Sequence, residues 1–154
     1  MDGIRAYWDG REMWSRHSKR ILCPSWFTKD LLQDPKLDGE LWMGRQRFED
    51  LLMVLNSSNL ENSRWKDVKY MVFDLPSSKE PLEARIQDLR KMALPGHVMA
   101  VEHLQSDGND HVSRLLHNIL RGGGEGLMAV KPGSTYVNGR TEIILKVKVT
   151  GVFL

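Results

Sequence analysis

The sequence predicts an α+β fold, mostly antiparallel β-sheet flanked by helices. Three observations lead there. β-prone runs outnumber helical ones, an Asp-Gly pair joins the first two runs by a tight turn, and the helical stretches sit singly between strands. A parallel sheet needs a strict strand–helix alternation, which is absent. At 154 residues, 41% apolar and 27% charged, the chain suits one domain with a buried core, which excludes a disordered chain.

The elements follow in order. Ile4–Trp8 and Glu12–Arg16 flank Asp9-Gly10, predicting a hairpin closed by a type I′ turn with positive φ at both central positions. Leu37–Trp42 alternates and reads as a strand. Arg45–Asn56 reads as a helix with Phe48, Leu51, Leu52 and Leu55 on one face. Val68–Leu75 is a strand stopped by Pro76. Pro81–Ala93 is a helix with Pro81 in its first turn and Leu82, Arg85, Ile86, Leu89 and Met92 at helical spacing. His97–Leu104 is a strand. Asp110–Arg121 is a helix capped by Asp107 or Asn109 and ended by Gly122-Gly123-Gly124. Gly126–Lys131 and Glu142–Val149 are the last strands.

Composition removes several classes of function. No apolar run approaches the ~20 residues that span a bilayer, so no membrane partner is expected. Met1–Gly10 carries Asp2 and Asp9 and no apolar core, so no secretory signal is read there. Cys23, the single cysteine, excludes an internal disulfide framework and a cysteine zinc site. His17, His97, His103, His111 and His117 lack metal-ligand spacing. The net charge of +2 names no partner, although residues 121–154 carry five basic and two acidic side chains, a local +3.

Some residues can carry chemistry. Asp38 and Glu40 share one face of their strand with Trp42, ~7 Å apart by strand rise. Such a pair holds a divalent metal or sugar hydroxyls, or is simply the wet face of an edge strand. Lys146 and Lys148 likewise share a face and suit a phosphate, although edge strands also use lysine against aggregation. Glu125 stands in the glycine-rich run Gly122–Gly126, where no Gly-Lys-Ser/Thr follows to make a P-loop. Phe73 is able to stack on a base, but phenylalanine in a strand commonly belongs to the core.

The order of these pieces is more specific than any one of them. Asp2-Gly3-Ile4-Arg5-Ala6, Trp14-Ser15-Arg16, Leu37-Asp38-Gly39-Glu40-Leu41-Trp42, Val72-Phe73-Asp74, Glu125-Gly126-Leu127-Met128 and Leu145-Lys146-Val147-Lys148 follow one another. The series resembles the motifs of ATP-dependent DNA ligases, most closely the nucleotidyltransferase (adenylation) domain of the small, bacterial-like type. Lys131-Pro-Gly-Ser-Thr-Tyr136 through Gly139-Arg140 is similar to that family too. The resemblance implies an ATP-grasp-like nucleotidyltransferase fold, use of ATP and Mg2+, and nicked double-stranded DNA as partner. It implies a monomer acting inside the cell, in the nucleus of a eukaryote, in repair, replication or recombination.

In that family a lysine attacks the α-phosphate of ATP, the AMP passes to the 5′-phosphate of a nick, and the 3′-hydroxyl displaces it. Carried over by motif, Glu40 meets the AMP ribose, Phe73 stacks on adenine, and Lys146 and Lys148 contact the α-phosphate. Arg5 and Arg16 meet phosphates of nucleotide or DNA, with Arg5 counted beside the two lysines as catalytic. Glu125 holds the metal, with Asp38 as its companion. RNA ligases and capping enzymes share the superfamily, and a non-catalytic nucleotide- or DNA-binding remnant is the reading from another class.

Two departures shape the expectation. The family's nucleophilic lysine stands two residues before the Asp of Asp-Gly, which here falls before Met1. Its oligonucleotide-binding domain would follow Leu154. Residues 1–154 are therefore expected to be a single, partial nucleotidyltransferase domain. Lys36 alone has a Lys-x-Asp-Gly context, but Glu40 follows where a hydrophobic residue and then Arg belong. The 154-residue chain, incubated with labelled ATP and Mg2+, should thus show no covalent label on a denaturing gel. A stable label mapping to Lys36 would reassign the nucleophile.

Overall fold

The computed structural model describes residues 1–148. Its larger sheet has six strands, β1 (Ile4–Trp8), β2 (Met13–Ser15), β3 (Arg20–Ile21), β4 (Leu37–Trp42), β5 (Lys69–Asp74) and β6 (Val98–Ala100), in the order β3-β2-β1-β4-β5-β6. All neighbours are antiparallel except β5 and β6, which are parallel. A second, two-stranded antiparallel sheet pairs β7 (Leu127–Val130) with β8 (Ile144–Val147). Among the described residues four α-helices intervene, α1 (Ser25–Thr28), α2 (Phe48–Leu55), α3 (Leu82–Lys91) and α4 (Asn109–Arg121), together with a short 3-10 helix, Ser63–Asp67. This is the expected mostly antiparallel α+β architecture. Among the described residues no helix is long and apolar enough to cross a membrane.

Alternation divides the large sheet into two faces. Ala6 and Trp8 of β1, Leu37 and Leu41 of β4, and Tyr70 and Val72 of β5 are buried with Phe27, Leu51, Val54, Trp65 and Leu89 from the helical segments. Those apolar side chains are the core, and their removal from water is the main stabilising term. The opposite face carries Arg5, Tyr7, Glu40, Met71 and Phe73, all at least partly accessible.

One contact crosses three strands. Tyr70 of β5 extends over β4, and its hydroxyl lies 3.0 Å from both the Ala6 and Leu37 carbonyl oxygens. It can do so because position 39 has no side chain. A Cβ there would stand 2.6 Å from Tyr70 Cε2 and 2.6 Å from the Met71 carbonyl oxygen. The glycine between Asp38 and Glu40 is therefore a packing requirement of the core.

Several local expectations are corrected. The hairpin forms, but its turn is not type I′. Gly10 alone has positive φ (96°), and Asp9 Oδ1 takes the N–H groups of Arg11 and Glu12 at 2.8 and 2.7 Å. A side chain thus replaces the turn carbonyl as acceptor, an option open to Asp. The helix expected over Arg45–Asn56, α2, starts at Phe48 rather than Arg45, because Gly44 and Gln46 have positive φ (109° and 59°). Pro81 is the N-cap of α3, and α4 follows Gly108 with no side-chain cap, in place of Asp107 or Asn109. The strand expected at 97–104 shrinks to Val98–Ala100, and β3 and α1 had no periodic signal to reveal them. Val149, expected in the last strand, lies outside the described residues.

Gly39→Ala should lower stability by about 3 kcal/mol, the upper range for overpacking, since one of the crowded atoms is backbone. The urea midpoint measures it. An unchanged midpoint would mean that Tyr70 does not depend on the gap.

Candidate nucleotide and phosphate site

The functional face is built from strand pairing. Arg5 is opposite Glu40, Tyr7 opposite Asp38, and Glu40 opposite Met71. The β4–β5 register shifts between Asp38, opposite Asp74, and Gly39, opposite Val72, so Phe73 is the extra residue of a bulge. Bulges re-aim side chains. Here Phe73 lies outside the core cluster, with the Arg5 guanidinium carbon 5.5 Å from its ring centroid, within cation–π range.

Asp38 is the most buried acid on this face, at 1% exposure. Arg5 grips it with two N–H groups, Nε to Oδ1 at 3.1 Å and Nη2 to Oδ2 at 2.5 Å, and Tyr136 donates its hydroxyl to Oδ2 at 2.8 Å. The hydrogen bond to Asp38 raises the guanidinium pKa further above its already high value. Burial, then the Asp38 charge, pushes the Tyr136 phenol up, so it stays a donor. In front of this triad an open cleft of about 750 Å³ is lined by Arg5, Tyr7, Trp14, Arg16, Asp38, Tyr136 and Arg140.

Glu40 feels the charge of Glu125, which pairs with Lys146. Burial raises the Glu40 pKa, the Gly3 backbone N–H opposes the rise, and the Glu125 charge adds to it. Glu40 is thus within electrostatic reach of Glu125. Gly3 is close as well: a Cβ on it would fall 2.8 Å from Glu40 Oε1 and 2.2 Å from the Leu41 carbonyl oxygen. Glu125 Oε2 accepts from Lys146 Nζ at 3.2 Å, with both side chains about half exposed. Lys148 lies next to Gly126. Arg5, Asp38 and Arg16 therefore border the cleft, Phe73 stands in cation–π range of Arg5, Glu125 pairs with Lys146 within electrostatic reach of Glu40, and Lys148 lies beside Gly126. Lys36 is elsewhere, its Nζ donating to the Gln33 carbonyl at 3.2 Å.

Mg2+ accepts one or two carboxylates plus phosphate oxygens and water. Glu125 suits that, being exposed and held, among the described residues, by an exposed lysine. Asp38 does not, because Arg5 and Tyr136 already engage both of its oxygens and a guanidinium stands against it. Among the described residues no three His, Cys, Asp or Glu side chains converge as a ready-made metal cage.

Tyr136, Arg140 and Arg85 escaped sequence reasoning as site residues. Tyr136 and Arg140 belong to a loop with no periodicity, and their only signal was the family-like stretch from Lys131 to Arg140. Arg85 fell at a core-facing helical position. It is 1% exposed and pairs with Asp74, Nε to Oδ1 at 2.6 Å.

The two-sheet α+β domain thus carries a cleft lined by Arg5, Arg16 and Arg140 and, at the second sheet, an exposed Glu125–Lys146 ion pair. The chain belongs to the ATP dependent DNA ligase domain family, whose model matches residues 1–148. It is 28% identical over 151 residues to a DNA ligase of Haemophilus influenzae, covering 96% of this chain and 55% of that protein. A solved structure described as "DNA binding with a minimal scaffold: Structure-function analysis of Lig E DNA ligases" superposes with TM-score 0.88 at 33% identity, covering 97% of this chain and 59% of that one. A Chlorella virus DNA ligase-adenylate shares the fold at TM-score 0.76 and 23% identity, over 96% of this chain and 58% of that one. The chain thus spans little more than half the length of these relatives.

The raised Glu40 pKa has a pH signature. A carboxyl whose folded pKa exceeds its ordinary 4.5 favours the fold below that value and loses its contribution as pH rises through the folded pKa. Wild-type stability relative to Glu40→Gln should therefore decline from about pH 4 upward, read from melting temperatures across pH. A flat difference would show that burial costs the carboxylate nothing.

Proposed function

We propose that this domain is the adenylation part of an ATP-dependent DNA ligase, binding ATP with Mg2+ and acting on nicked double-stranded DNA. The observations that carry the reading are the face shared by Arg5, Glu40 and Phe73 and the Glu125–Lys146 ion pair, whose carboxylate lies within electrostatic reach of Glu40. In a ligase, ATP supplies the adenylyl group and Mg2+ screens its phosphate charge.

Each residue then has a physical task. Phe73, turned out by the bulge, offers a flat face to adenine. Glu40 is partly desolvated, so a hydrogen bond from a ribose hydroxyl to its carboxylate is strengthened by the low local dielectric. Lys146 and Lys148 put two cations beside the α-phosphate, where charge on the equatorial oxygens grows during transfer. Glu125 balances Lys146 and offers an oxygen to the metal. Asp38 anchors Arg5 rather than a metal. Arg5 has five N–H groups and gives two to Asp38, leaving three for phosphate. Arg16 and Arg140 extend the cationic lining toward DNA.

ATP binding in Mg2+, followed by calorimetry with GTP as competitor, tests this. Lys146→Ala and Lys148→Ala should each weaken ATP by about tenfold or more, as for a lost hydrogen bond to a charged group. Lys131→Ala removes the same charge from outside the pair and should weaken it much less. Small and equal effects at all three positions would reduce the pair to a solvated strand face, and absence of ATP binding would defeat the reading.

A further inference from the structure

The loop between β7 and β8 runs over the cleft without secondary structure, yet it is tied down at several points. Gly133 N–H donates to both Glu83 oxygens at 2.9 and 3.2 Å. Arg85 Nη1 donates to the Ser134 carbonyl at 2.9 Å and to the Glu80 carbonyl at 2.6 Å. The same guanidinium holds Asp74 through Nε and Nη2 at 2.6 and 3.1 Å. Ser134 Oγ closes the loop on the Lys131 carbonyl at 2.7 Å. Two residues beyond this clamp, Tyr136 reaches Asp38.

We propose that Tyr136 is a positioning residue: carried on a loop clamped to α3, its hydroxyl holds Asp38 so that Arg5 presents its unused N–H groups to the 5′-phosphate of a nick. The phosphate half of this statement rests on the ligase reading above. A carboxylate on its terminal torsion is free to rotate broadly, and Arg5 alone grips Asp38 from one side. Tyr136 supplies a second, independently anchored donor at Oδ2, which selects one carboxylate orientation. The planar Arg5 fork must follow that orientation, because a bidentate pair tolerates little misalignment. Arg85 makes this possible from below. It links the end of β5 to the loop, so the cleft wall and the sheet floor share one rigid reference.

The test uses the 154-residue chain and Tyr136→Phe, which deletes one hydroxyl. The first readout needs no DNA. The Arg5 Nε–H resonance, assigned by its disappearance in Arg5→Lys, should exchange with water about tenfold faster in Tyr136→Phe, as for a weakened charged hydrogen bond. The second readout compares a nicked duplex carrying a 5′-phosphate with one carrying a 5′-hydroxyl. Wild type should prefer the phosphate, Tyr136→Phe should shrink that preference about tenfold, and adding it to Arg5→Lys should cost nothing more, because the two act through one contact. Unchanged exchange and preference, or equal weakening on both duplexes with the Arg5 resonance unaltered, overturns the proposal. A responsive Arg5 resonance with no phosphate preference in wild type overturns the ligase reading instead. If Tyr136→Phe does not fold, Glu83→Ala frees only the Gly133 N–H, loosens the same loop, and should move both readouts in the same direction.

Discussion

The missing side chain at position 39 is the constraint on which the rest of the structure depends. Tyr70 lies in the gap and bridges the backbones of β1 and β4 from a third strand. One hydroxyl proton lies between two buried carbonyl oxygens, in a setting where an unmade hydrogen bond is costly. The three central strands are thereby locked in register. Register decides which side chains face the cleft, since a slip of one residue would send Asp38 and Glu40 into the core and the leucines out.

The acids on either side of that glycine have different surroundings. Asp38 is buried, so its charge needs compensation, and Arg5 and Tyr136 provide it. Glu40 keeps some solvent and lies against a backbone that comes close only because Gly3 also lacks a side chain. Two neighbouring carboxylates in one strand thus differ in availability. One is a structural anchor that orients a cation, and the other remains open to a ligand. Their equal spacing along the strand gave no hint of that division.

The second sheet attaches to the first through polar contacts more than through a shared core. Its strands expose Met128 and Leu145, and α4 has no fully buried residue. Against that, Arg85 is sunk in the protein with all its visible contacts satisfied, and it joins strand, helix and loop. Removing one partner of such a pair costs more than the pair itself contributes, because the other charge is left buried and alone. The wall of the cleft is held by a few charged hydrogen bonds, which specify geometry more sharply than apolar contact does.

The sequence by itself determined the local elements and the family. Period-two alternation placed β1, β4 and β5 within a residue or two, helical spacing placed α3 and α4, and the ordered motifs pointed to ATP-dependent DNA ligases, to which the chain belongs. These are short-range signals, written in residues that are neighbours along the chain. Tertiary structure alone decided who meets whom across the chain. Asp38 and Tyr136 are separated by 98 positions, and Arg85 and Ser134 by 49. No periodicity encodes such pairings, which exist only once the strands are in register. The bulge at Phe73 follows the same logic, because a period-two pattern assumes that every residue has a partner opposite, and only the folded sheet shows which one does not.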